Sequence, residues 1–267
     1  MTAQSLATDP TISHASSGGM FLGFGNSFRK EVTEWLRSRK ALIVAGVSVL
    51  GAVFMTLIPF IAKASGEAEE AGLTSMDPTA NVLLALAGQT VGLIAIVATM
   101  ALLSGERDRG TLGWSLTNPV SPTAIIAAKF VAGMVVFSIA AIVIPLIASV
   151  ALATVVYGGP PDLMVVGTFG LLFLTVPAFY IALTIGLGTA IKATAGVAGA
   201  AFAVMFVPQI LGGFIPLVAE ISPTSIGLWA TAVAKGEPAS ALTPVSWLVC
   251  MIAILVAAKV VFDRQEV

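Results

Sequence analysis

Apolar residues gather in six runs, at about residues 41–62, 81–103, 130–157, 163–191, 193–218 and 245–262. Each is close to or above the ~20 residues that a helix needs to cross about 30 Å of hydrocarbon. No Asp, Glu, Arg or His falls in the middle of a run, and Lys259 is near enough to the end of the last to snorkel to the interface. The pattern predicts an all-α polytopic membrane protein with six transmembrane helices in one domain, 41–262. Pro145 predicts a kink in the third span. Gly88 and Gly92, and the small face Gly196, Gly199 and Ala200, allow close approach of neighbouring helices.

Between and before the spans the periodicity changes. Residues 1–23 are rich in Ser, Thr, Gly and Ala and read as a flexible tail. From 24 to 40, Phe24, Phe28, Val32, Trp35 and Leu36 recur at helical spacing, with Arg29, Lys30, Glu34 and Arg37 on the other side. That spacing predicts an amphipathic helix lying in the membrane surface, aromatics down. Residues 220–244 are moderately apolar, too short and interrupted to span, and predict a re-entrant or interfacial segment between spans five and six, anchored by Trp229. Residues 263–267 form a short charged tail.

Cations set the orientation. Arg29, Lys30, Arg37, Arg39, Lys40, Arg107, Arg109, Lys129, Lys192, Lys259 and Arg264 fall on one side, and only Lys63 and Lys235 on the other. The positive-inside rule places both termini and the 104–129 loop in the cytoplasm of a multi-pass protein of the cell membrane.

Composition agrees with this topology: 57% of residues are hydrophobic and 10% charged, against about a quarter charged in soluble domains, and the mean hydropathy is +1.00. It also excludes chemistry. The chain has no GxxxxGK[ST] phosphate loop. With one histidine, His14, in the tail and one cysteine, Cys250, in an apolar run, it assembles no catalytic set and no metal site. Ionisable groups of the kind proton pumps and ion-coupled carriers use are missing from the span centres. Energy for uphill movement must then arrive from outside, through a cytoplasmic loop.

The loop 104–129 is the one suited to receive it. Glu106, Arg107, Asp108 and Arg109 alternate in sign, Gly110 and Thr111 allow a break, and Asn118-Pro119 with Ser121-Pro122 set a rigid turn leading into the third span. Glu106 and Arg109 read as an exposed contact. The bland alternative is a solvated loop carrying a positive-inside pair.

Residues 105–112, GERDRGTL, followed by Thr117-Asn118-Pro119-Val120-Ser121 and then Ile125, Ile126 and Lys129, resemble the signature loop of type-2 ABC exporter permeases, in the branch that includes the permease of the nitrous-oxide-reductase maturation transporter. Ser222-Pro223 in the far-side segment fits the same pattern, whereas Pro122 stands where that family often has a polar residue. The resemblance implies a type V, ABCG-like fold. In it two permeases, identical or homologous, pair within the lipid bilayer above two copies of a cytoplasmic ABC ATPase. ATP and Mg would be bound by that partner, with no cofactor on this chain and no nucleic acid involved. Glu106, Arg107, Asp108, Arg109, Gly110 and Thr111 would form the coupling helix. Phe28, Arg29, Glu31 and Trp35 would belong to the connecting helix of residues 24–40. Gln89, Gly92, Phe206 and Gln209, with Gly88, would border the substrate path along the second and fifth spans. The resemblance implies export, and the apolar, uncharged path points to a hydrophobic or amphipathic substrate. A non-transporting scaffold or immunity-type protein, and a self-contained secondary carrier, stay open beside it.

Overall fold

The computed structural model describes residues 21–66, 69, 76–87, 90–108 and 121–264. Within them the chain is helical: α1 (Phe24–Arg37), α2 (Lys40–Ser65), α3 (Pro78–Ala87), α4 (Thr90–Thr99), α5 (Ser104–Asp108), α6 (Pro122–Ser138), α7 (Ile144–Val156), α8 (Leu163–Phe173), α9 (Thr175–Ala190), α10 (Thr194–Gly212), α11 (Pro216–Ile221), α12 (Ile226–Ala234) and α13 (Leu242–Asp263). Among the described residues, six helical stretches are long and apolar enough to cross a membrane. The protein is thus all-α and polytopic.

The fourth span is the hub. Its second part, α9, is buried on nearly every side from Val176 to Ile185 and packs on α4, α6, α10 and α13. Close approach is made possible by glycine: a methyl group at Gly92 of α4 would lie 2.6 Å from the Tyr180 ring of α9. Hydroxyls pin the same seam, with Thr99 Oγ1 2.8 Å from Thr184 Oγ1. Elsewhere the Tyr157 hydroxyl donates to the Thr56 carbonyl at 2.6 Å, and Trp247 Nε1 donates to the Thr175 carbonyl at 3.0 Å. Away from the hub the helices keep outward apolar faces; Leu42 and Leu50 of α2 are each 71% exposed, as suits side chains that meet lipid tails.

Two helix boundaries and one kink differ from the sequence reading. The helix that carries the third span begins at Pro122, two turns ahead of the span start expected near Phe130, because Ser121 caps it: its hydroxyl accepts from the Ala124 N–H at 3.1 Å, and Pro122 takes the first turn, where its missing N–H is harmless. Pro145 does not act alone. A π turn, Ile139–Val143, precedes it between α6 and α7, absorbing the hydrogen bond that proline cannot make. The fifth span ends at Gly212, and Pro216 starts the separate short helix α11. The segment after it folds as α11, a 3₁₀ turn (Pro223–Ser225) and α12, with the Thr243 hydroxyl of α13 bonded to the Glu220 carbonyl at 2.8 Å.

Candidate coupling site

Helix α1 buries one stripe. Glu31 and Trp35 are buried, Phe24, Phe28 and Val32 are half-buried, and Arg29, Lys30, Leu36 and Arg37 remain exposed. The spacing i, i+4, i+7, i+8, i+11 is that of one helix face. This face lies on α6, the start of the third span, so Trp35 is covered by protein at 2% exposure and not by the membrane surface. Leu36, expected on the same side, points away at 62% exposure. Phe24 and Phe28 stack with ring centroids 6.0 Å apart. The backbone N–H of Ser121 donates to the Leu22 carbonyl at 3.2 Å, tying the start of α6 to the lead-in of α1.

Because α6 starts at Pro122, Lys129 lies two turns inside a helix. Its side chain is drawn under α1 and is 2% exposed. There it meets two carboxylates from different elements: Glu31 Oε1 of α1 at 2.7 Å and Glu106 Oε1 of α5 at 3.0 Å. Lys30 approaches Glu106 Oε1 from the exposed side at 3.4 Å. Carboxylate oxygens of Glu31, Glu34 and Glu106 lie within 4.8 Å of one another, a spacing that a divalent cation could bridge; here the Lys129 ammonium sits against two of the three. The Lys129 ammonium is held by two carboxylates at once, Glu31 and Glu106. The buried lysine is therefore retained by short, charge-assisted hydrogen bonds that offset its desolvation.

Helix α5 is itself anchored. The Ser104 hydroxyl donates to the Met100 carbonyl at 2.8 Å, and its oxygen is 3.1 Å from Thr194 Oγ1, the first residue of α10. Glu106 thus stands at a junction of α1, α5 and α6, one turn from the fifth span. Its place corrects the expectation of an exposed contact: Glu106 is buried, at 7% exposure, because its carboxylate turns inward to Lys129. Arg107 and Asp108 complete α5, and Arg109, Gly110 and Thr111 lie outside the described residues, as does the 112–120 stretch.

The candidate path residues are placed separately. Gly88 and Gln89 lie outside the described residues. Gly92 is buried against Tyr180, inside the chain's own packing. The small cavity that it lines with Phe173, Val176 and Gly227 contains neither Phe206 nor Gln209. Phe206 is 42% exposed on α10, and the Gln209 amide donates to the Met205 carbonyl of its own helix at 2.9 Å.

Lys129 is the residue that sequence reasoning undervalued, taking it as a boundary cation. Two signals could have found it: the Ser121-Pro122 cap, which starts the helix early, and the apolar neighbours Ala127, Ala128, Phe130 and Val131, which predict an enclosed position.

A family model described as "ABC-2 family transporter protein" matches residues 26–267. The protein named "Probable ABC transporter permease protein NosY" from Stutzerimonas stutzeri is 34% identical over 134 residues, 50% of this chain and 46% of that relative. The matched region thus spans about half the length of that protein.

Proposed function

The chain belongs to the ABC-2 transporter family, and from that membership we propose that it is the membrane subunit of an ATP-driven exporter, powered by a separate cytoplasmic ATPase. One observation carries the reading: the Lys129 ammonium joins Glu31 of α1 and Glu106 of α5 to the first turns of span three. A push on α5 reaches α1 and the third span through one buried ion cluster. In this reading the residues that follow Glu106, 107–111, contact the ATPase, both termini and α5 face the cytoplasm, as the cation distribution supports, and two permease copies pair in the bilayer.

The catalytic groups for ATP hydrolysis, with the bound Mg, are assigned to the partner. The substrate is assigned to the apolar or amphipathic class, from the uncharged span centres. Affinity purification of the tagged chain from its native membrane tests the assignment. A stoichiometric partner carrying a phosphate-binding loop, whose ATPase rate changes when the chain is present, supports it. A stoichiometric partner without a nucleotide site favours a scaffold instead.

A further inference from the structure

Between α2 and α4 runs an apolar groove of about 340 Å³, within the ~300–1,000 Å³ range of ligand clefts. Val44, Val47, Leu93, Val97 and Ala98 are among its walls, and Lys40 is the one charged residue that lines it among the described residues. It is open on its outer side, where Ile43 is 63%, Val47 50% and Val97 55% exposed. From Lys40 to Val47 the helix rises about 10 Å at 1.5 Å per residue, which keeps the groove inside one leaflet of a ~30 Å hydrocarbon core.

One end of the groove is marked by the Lys40 cation. Arg37 and Arg39 lie just before it in the chain, where α1 turns into α2, and Arg39 holds a left-handed backbone, φ 59°, in that turn. Among the described residues none of these three forms an ion pair with a carboxylate. An apolar channel with unpaired cations at one end complements a molecule with a long hydrocarbon chain and an anionic head. Basic pockets between membrane helices on the cytoplasmic side bind anionic lipid headgroups by this logic.

A second copy of the chain is a poorer match. Exposed Lys192 stands just before its outward-facing span α10, and its own α2 carries the same basic corner. Each would bring like charge to Lys40. We therefore propose that the α2–α4 groove is a binding site for one anionic phospholipid, an acyl chain lying along Val44, Val47, Leu93 and Val97 and the phosphate held at Arg39 and Lys40.

The full chain, extracted in mild detergent, is mixed with phosphatidylglycerol or phosphatidylcholine of identical acyl chains, and retained lipid is counted by native mass spectrometry. One phosphatidylglycerol per chain is expected, held at least tenfold more firmly than phosphatidylcholine. Joint Arg39→Ala and Lys40→Ala replacement lowers phosphatidylglycerol to the phosphatidylcholine level. Ala98→Phe, or Val97→Trp on the exposed rim should the former not elute as a monodisperse species, lowers both lipids by filling the groove. Equal retention of the two lipids by the unaltered chain overturns the proposal. So does efficient disulfide cross-linking of two copies through Val47→Cys, in a Cys250→Ser background, in native membranes, since a second copy would then occupy the groove.

Discussion

The Glu31 carboxylate and the Lys129 ammonium, 98 residues apart in the chain, meet at 2.7 Å with both side chains almost wholly enclosed. No local signal pairs them; the pairing exists because α1 folds back onto the first turns of span three. Glu106 closes the cluster from α5 at 3.0 Å. Three elements that lie apart in the sequence thus share one charge.

Removing that charge leaves two buried carboxylates facing each other. Lys129→Met is expected to cost roughly 3–5 kcal/mol, the range for breaking a buried ion pair from one side. Adding Glu31→Gln and Glu106→Gln to it is expected to recover most of the loss, since the like charges are then gone. Thermal unfolding of the detergent-solubilised chain, followed by intrinsic tryptophan fluorescence, measures both.

The exposed member of the cluster matters less. Lys30 is 57% exposed and 3.4 Å from Glu106, so Lys30→Ala is expected to change stability by no more than about 1 kcal/mol, as for surface ion pairs. Its effect is expected to shrink as salt is raised. The same unfolding assay at low and high ionic strength checks this.

At the hub, Gly92→Ala places a methyl group 2.6 Å from the Tyr180 ring, and is expected to destabilise the packing by about 1–3 kcal/mol through overpacking. Tyr180→Leu in the same chain is expected to relieve part of that cost. A double-mutant cycle with a non-zero coupling energy is the expected readout.

The cap of span three gives a smaller effect. Ser121→Ala removes the acceptor for the Ala124 N–H and is expected to cost about 0.5–2 kcal/mol, whereas Ser121→Asp retains the cap. Amide exchange at residues 123–126 is expected to accelerate in the alanine variant only.

What the sequence disclosed and what it hid follow from the range of the interactions. The six apolar runs are local and strong, because each must satisfy its own backbone in a bilayer. Ser121 and Pro122 also spelled a helix start, yet a hydropathy reading treats the next cation as the border and so placed Lys129 outside the span. The aromatic stripe of α1 showed which face is apolar and not what covers it: Trp35 meets α6, where the membrane surface was expected. Glu106 read as exposed because its charge lay in a polar loop, and its inward partner could not be seen without the fold. Of the Gly88–Gly92 pair, Gly92 makes a close approach, and the structure supplies its partner, Tyr180.

The central claim is that ATP-driven movement at α5 reaches span three through Lys129. Val155, near the opposite end of that span and 80% exposed, accepts an environment-sensitive fluorophore as Val155→Cys in a Cys250→Ser background. In the chain assembled with its ATPase, adding ATP and Mg is expected to shift the emission of the label. With Glu106→Ala or Lys129→Met, in complexes that still assemble and hydrolyse ATP, the shift is expected to fall at least severalfold. An undiminished shift in both variants contradicts the account.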